Sequence, residues 1–274
     1  MGDVVDSAAD AGREARNSAW FDHAVRFGMV AYGLVHFLIA WLSIQLALGD
    51  RDESVSGQGA LVELAVQPFG RVVVWLVAAG LALLVLWRLV DLFWGHRGED
   101  GADLWQDRAE DALMAGVYGT LASAAVSVAV RGGSGGGQSE ETITARLLAQ
   151  GWGVWLVGLV GLGIIVSGAS LVWLGLTERY REHLKADGQT GELGRAYLLV
   201  GKIGYLAKGG AIGLVGALFG WAAVTHDPDK SGGLDDALKT LLDQPYGPLA
   251  ILAVAIGFAC YGVLCLAIAR HLSR

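Results

Sequence analysis

The chain has 274 residues, of which 54% are hydrophobic and 17% are charged, and its mean hydropathy is +0.48. Soluble domains carry about one-quarter charged residues, so this composition excludes an ordinary soluble globular protein. The formal net charge is -7, and no basic cluster is typical of a nucleic-acid surface. The sequence therefore predicts a membrane protein that has the lipid bilayer as its main partner.

Six apolar runs are long enough to cross a hydrocarbon core of about 30 Å, which takes about 20 helical residues. They lack the alternating pattern of barrel strands, so we predict six helices in one membrane domain, residues 1–274. The first run follows a polar stretch without the features of a signal peptide, so we expect it to be retained. The runs are Val25–Leu48, Val72–Phe93, Ala109–Val130, Val154–Leu176, Tyr205–Val224 and Leu249–Ala269.

Lys and Arg predict the orientation of the chain, because the cytoplasmic side of short loops carries their excess. Fourteen of them fall in the N-terminal segment, the second and fourth connections and the C-terminal tail, against six in the other connections. We therefore expect a multi-pass protein of the bacterial plasma membrane with both termini in the cytoplasm.

A short motif before each even-numbered span indicates three tandem repeats. It reads Gln-x-aromatic-Gly, and each motif glycine is followed ten residues later by another, at Gly80, Gly163 and Gly257. The copies are Gln67-Pro68-Phe69-Gly70, Gln150-Gly151-Trp152-Gly153 and Gln244-Pro245-Tyr246-Gly247. We expect two-helix hairpins over residues 22–95, 107–177 and 199–270.

The outer connections predict amphipathic helices, most clearly in the third repeat, where leucines recur at helical spacing between charged residues. Those leucines are Leu234, Leu238, Leu241 and Leu242. Residues 60–65 and 139–147 repeat the pattern more weakly. We interpret the motif that follows as structural: proline ends the outer helix, the aromatic ring sits at the membrane interface, and glycine permits the sharp turn.

These features resemble the actinobacterial membrane family known as domain of unknown function 1206, whose members carry three copies of a two-helix unit. The second copy departs from the pattern: Gly151 replaces proline, and Met114 stands where the other copies have Gly28 and Gly204. We expect that hairpin to follow the pattern less faithfully. The family implies no activity. The residues that carry the resemblance are Tyr32-Gly33-Leu34-Val35-His36, Gly57-Gln58-Gly59-Ala60-Leu61, the three motifs, and Gly80 through Trp87-Arg88.

The repeat predicts an architecture, because a unit with two spans returns to its starting side and every copy enters the membrane in the same direction. We expect an all-α protein whose three hairpins surround a pseudo-threefold axis. The chain contains no Walker-type phosphate loop, no His-Glu-x-x-His and no cysteine pairs at zinc spacing. We therefore predict no cofactor, no metal and no catalytic residue, and we do not expect an enzyme.

His36 is the leading candidate for a functional residue, because polar side chains near mid-membrane are costly in lipid. Tyr32 lies one turn before it, and the matching positions in the other repeats are Ala122 and Ile212, so the histidine breaks the repeat. Such a break suits a site for an asymmetric solute or a proton. The alternative is a neutral imidazole that is hydrogen-bonded between helices.

Other polar residues in the spans have structural interpretations. Arg88 and Asp91 are three residues apart and can pair, and Lys208 lies near enough to the inner surface to extend to it.

Two functions remain open. One is binding or permeation of a small solute or ion through an axial cavity around His36, Tyr32 and Tyr118. The other is a non-catalytic membrane scaffold whose outer helices dock a protein or lipid. A wet cavity would favour the first function, and a packed axis would favour the second.

Overall fold

The structure is a computed structural model that describes residues 19–52, 54–94, 102–131, 144, 147–148, 150, 152–183, 191–227 and 230–271. The described residues form eight α-helices and one short 3-10 helix, Arg179–His183, and they contain no strand. The α-helices are α1 (Ala19–Ala47), α2 (Gly57–Val66), α3 (Gly70–Trp94), α4 (Ala102–Arg131), α5 (Gly153–Thr177), α6 (Gly191–Thr225), α7 (Leu234–Leu242) and α8 (Gly247–Arg270).

Six of these helices are long and apolar enough to cross a membrane: α1, α3, α4, α5, α6 and α8. The all-α prediction and the six predicted spans are therefore confirmed. The odd-numbered spans of the three repeats are α1, α4 and α6, and the even-numbered spans are α3, α5 and α8.

The two remaining helices, α2 and α7, are the predicted outer helices of the first and third repeats. The Ser56 hydroxyl caps α2 by accepting a hydrogen bond of 2.9 Å from the Gly59 N–H. Leu61 of α2 and Leu238 of α7 are fully buried, so each helix turns its apolar face into the bundle. The expected outer helix of the second repeat, residues 139–147, lies almost wholly outside the described residues.

The motif before each even span forms a turn closed by the same hydrogen bond in all three copies. In each copy the glycine N–H donates to the glutamine carbonyl at 2.8 Å. Phe69 and Tyr246 have positive φ angles of 62° and 66°, as the third residue of a type II turn requires. Trp152, in the copy without proline, has a φ of -86° and lies in the right-handed helical region instead. In the two copies with proline, the positive φ angle therefore falls on the aromatic residue and not on the glycine.

Glycine is needed in the motif for a different reason, which is the close approach of two backbones. A Cβ atom on Gly70 would lie 1.8 Å from the Leu64 carbonyl oxygen of α2. On Gly247 it would lie 2.1 Å from the Leu242 carbonyl oxygen of α7. The outer helix therefore ends directly against the start of the span that follows it, where only glycine fits.

The spans pack in a regular order around the molecule. The even span of each repeat packs against the odd span of the next: α3 on α4, α5 on α6, and α8 on α1. Within repeats, α1 packs on α3 and α6 packs on α8. Among the described residues, the backbones of the three odd spans do not approach one another closely, and the contacts between these spans are made by long side chains. This order leaves space at the centre, between α1, α4 and α6. The pseudo-threefold axis remains a prediction.

The glycines that follow the motif by ten residues show where hairpins close. A Cβ atom on Gly80 would lie 2.6 Å from Ala31 Cβ on α1, and one on Gly257 would lie 1.9 Å from Ala207 Cβ on α6. Both glycines allow the two spans of a hairpin to meet closely, as small residues do in membrane helices. At Gly163, in the second repeat, no atom lies within 4 Å of the added Cβ.

The hairpin of the second repeat is correspondingly open. The described residues of α4 and α5 make no contact comparable with those in the other two hairpins. Met114 occupies the position on α4 where the other odd spans have glycine. Among the described residues, a lateral gap therefore separates α4 from α5, and Gly119 of α4 has open space beside it.

Candidate functional site

A cavity of about 220 Å³ occupies the space between the three odd spans. Tyr32 and His36 of α1, Thr120 of α4 and Lys208 of α6 contribute its polar groups. Aliphatic side chains and Phe258 of α8 form most of the rest of the wall, and the first residues of α2 and α7 close one end. The cavity is therefore apolar with a few convergent polar groups, which is the usual composition of a small-molecule site.

His36 is 3% exposed, and its ring is held by neighbours on two helices. Its Nδ1 lies 2.8 Å from the Tyr32 carbonyl oxygen, one turn earlier in α1. A carbonyl only accepts hydrogen bonds, so Nδ1 carries the proton and Nε2 is left as an acceptor. The ring also lies 4.7 Å from the Tyr261 ring of α8, centroid to centroid. The hydrogen bond of His36 thus stays within its own helix, which differs from the expected bond between helices.

Lys208 is 6% exposed and points into the bundle, so the expectation that it extends to the inner surface is wrong. Its Nζ donates a hydrogen bond of 2.7 Å to the Tyr32 hydroxyl. It also lies 3.9 Å from the centroid of the Tyr261 ring, which is a cation–π contact. The reason is the length of α6: the helix begins at Gly191, so Lys208 lies near its middle.

The repeat explains why Lys208 meets Tyr32. When the odd spans are aligned on Gly33, Gly119 and Gly209, the residue just before each glycine is Tyr32, Tyr118 or Lys208. All three side chains are buried, and the rings of Tyr32 and Tyr118 meet edge to face with centroids 4.8 Å apart. The third repeat thus places an ammonium group where the other two have a phenol.

A second buried polar group adjoins this cluster. The Arg88 guanidinium of α3 donates a hydrogen bond of 2.7 Å to the Asp111 carboxylate of α4 and lies near the Tyr118 side chain. We expected Arg88 to pair with Asp91 along its own helix, and the structure gives it this partner on a neighbouring span. Because Asp111 balances the charge of Arg88, this pair joins α3 to α4.

The structure brings together the three predicted site residues, Tyr32, His36 and Tyr118, although Tyr118 lies behind Tyr32 and does not line the cavity. Lys208 was not among them. Its equivalence to Tyr32 and Tyr118 in the repeat is the sequence signal that identifies it. Among the described residues, no group of three or more His, Cys, Asp or Glu side chains could hold a metal ion.

Comparison with known proteins places these features in a family. The sequence profile described as Domain of Unknown Function (DUF1206) matches residues 27–95, 112–178 and 203–271. The chain is 29% identical over 245 residues to the "Uncharacterized protein YxxB" of Bacillus subtilis (strain 168), across 89% of this chain and 88% of the relative. No solved structure matches. The three matches cover most of the sequence, and the chain belongs to the Domain of Unknown Function 1206 family.

Proposed function

We propose that this protein binds a small solute inside the membrane, in the cavity between α1, α4 and α6. The observation that carries the proposal is that His36 and Lys208, two basic side chains buried in different spans, both line one cavity. Polar side chains at this depth are costly and usually serve a ligand or ion path. Transporters built from repeats also tend to bind their solutes near mid-membrane where the repeats meet.

The size and lining of the cavity limit the solute. Its volume of about 220 Å³ is below the range of drug-sized pockets, which begins at about 300 Å³. The mostly apolar wall suits a compact molecule with one or two polar groups. We further propose that the bound solute permeates the membrane through this cavity. The lysine and arginine distribution would place both termini of the protein in the cytoplasm.

Thiol labelling tests whether the cavity is accessible from water. Val215 lines the cavity, whereas Ala222, two turns further along α6, is fully buried in packed helices. Cysteine would be placed at each position in turn, after Cys260 and Cys265 are replaced by alanine. A charged, membrane-impermeant thiol reagent reacts with thiolate in water and not with a thiol in lipid. We expect Val215→Cys to react in intact bilayers and Ala222→Cys to remain unmodified.

Equal reactivity at the two positions would show that the reagent reports general unfolding, and an unreactive Val215→Cys would contradict the proposal. The second result would favour the scaffold function. A permeation role further requires that His36→Leu change the flux of an ion or metabolite into reconstituted vesicles.

A further inference from the structure

When protonated, Lys208 carries a positive charge, and no ion pair among the described residues balances it. The ion pairs of the described residues join Asp243, Asp111, Glu178 and Asp235 to Arg51, Arg88, Arg181, Lys202 and Lys239, and Lys208 is in none of them. The contacts of the Lys208 ammonium are the neutral Tyr32 hydroxyl and the Tyr32 and Tyr261 rings. A buried charge is costly unless it is paired as well as hydrogen-bonded. An ammonium also has three donors, and the Tyr32 hydroxyl takes one of them.

The remaining donors of Lys208 have the cavity available to them, because Lys208 is one of the residues that line it. The same cavity is closed at one end by Gly57 and Leu234, the first residues of α2 and α7. The start of a helix carries a partial positive charge. Asp235 and Asp236 lie in the first turn of α7, and they bond the Val55 and Gly233 N–H groups and do not line the cavity. The polar groups of the cavity thus favour negative charge.

We propose that the ligand of this cavity is an anionic amphiphile, a molecule with one acidic group joined to an apolar portion, of which the part next to that group fits the cavity. The acidic group binds the Lys208 ammonium beside the Tyr32 hydroxyl. The apolar part next to it lies against the aliphatic wall and Phe258. This inference rests on the proposed function and names the chemical class of its ligand.

The gap between α4 and α5 offers this ligand a lateral route. Thr120, on the exposed side of α4, lines the cavity, while Gly119 next to it and Gly163 on α5 both have open space beside them. A carboxylate from water and an anionic lipid from the bilayer share the chemistry that Lys208 requires. The experiment therefore includes both sources.

The first arm compares benzoate with benzamide, which have nearly the same shape and differ in charge. The chain would be held in nanodiscs of zwitterionic lipid, and the melting temperature would be measured against probe concentration at constant ionic strength. A ligand that binds only the folded state raises that temperature. We expect benzoate to raise it more than benzamide. Lys208→Met should weaken benzoate binding at least about tenfold, since it removes a charge-assisted hydrogen bond, and Lys208→Arg should retain binding.

The second arm replaces part of the zwitterionic lipid with phosphatidylglycerol and uses no benzoate. A rise in melting temperature that Lys208→Met abolishes would identify the lipid as the source of the anion. Ile212→Phe fills the cavity and keeps the lysine, so it should abolish the effect of either probe. That variant decides the matter if Lys208→Met fails to fold.

Two results would overturn the inference: equal responses to benzoate and benzamide together with no response to phosphatidylglycerol, or responses that persist in both Lys208→Met and Ile212→Phe. Labelling at Val215 separates this failure from failure of the proposed function. If Val215→Cys reacts but the protein shows no preference for anions, the cavity is accessible from water and the inference about its ligand is wrong. If Val215→Cys does not react, the proposed function is wrong as well.

Discussion

Gly257→Ala tests how closely the spans of a hairpin pack. The added methyl group would lie 1.9 Å from Ala207 Cβ, whereas carbon atoms in contact stay about 3.5–4.0 Å apart. The spans α6 and α8 must therefore separate by about 2 Å. Overpacking of this kind costs about 1–3 kcal/mol, and the better helix propensity of alanine offsets it by at most about 1 kcal/mol. We expect the free energy of unfolding to fall by about 1–2 kcal/mol.

Gly163→Ala is the matched control, because Gly163 has the same place after its motif and no neighbour within 4 Å. Here only the propensity gain applies, so the free energy of unfolding should rise by about 0.5–1 kcal/mol. Both variants would be measured by reversible unfolding in the same micelles, with melting temperature as a second readout. Equal effects of the two substitutions would refute the packing described for the hairpins, as would a Gly257→Ala variant as stable as the parent chain.

Two further predictions concern topology and the turn. Reporter fusions should place Asp100 and Gln189 in the cytoplasm and Ser56 and Ser231 outside, and the reverse pattern would overturn the orientation. Gly70→Val should lower the yield of folded protein, because its Cβ would meet the Leu64 carbonyl oxygen at 1.8 Å, and an unchanged yield and melting temperature would remove that account of the motif.

The elements of the fold could be predicted because each depends on a local property of the sequence. A span needs about 20 apolar residues, and an outer helix needs leucines at helical spacing. Met114 in place of glycine also indicated that the second hairpin departs from the pattern, although it did not indicate that the two spans lie apart. The φ angles of the turn could not be predicted from the sequence. Phe69 and Tyr246 adopt positive φ angles, which residues with a side chain rarely do. The glycine next to each of them was the residue expected to permit the sharp turn.

The site was less predictable, because it depends on contacts between distant segments. His36 and Tyr32 lie one turn apart on one helix, so their proximity follows from helical geometry. Lys208 was expected near the inner surface because the apolar run starts at Tyr205, only three residues before it. The helix itself begins at Gly191, and this extension carries the ammonium to Tyr32. Likewise, the spacing of three residues along one helix favoured a pair between Arg88 and Asp91. The bond between Arg88 and Asp111 depends on how α3 packs against α4, which the spacing does not give.

Solid-state NMR on the unmodified chain in lipid bilayers would test most directly whether the cavity holds water. Nitrogen-15 labelling of histidine gives the imidazole shifts, and the signals of His36 are those lost in His36→Leu. We expect a neutral ring with the proton on Nδ1, as the bond to the Tyr32 carbonyl requires, and transfer of magnetisation from water to this ring. A His36 ring that receives no magnetisation from water, while the histidines outside the spans do, would contradict a hydrated cavity in this protein.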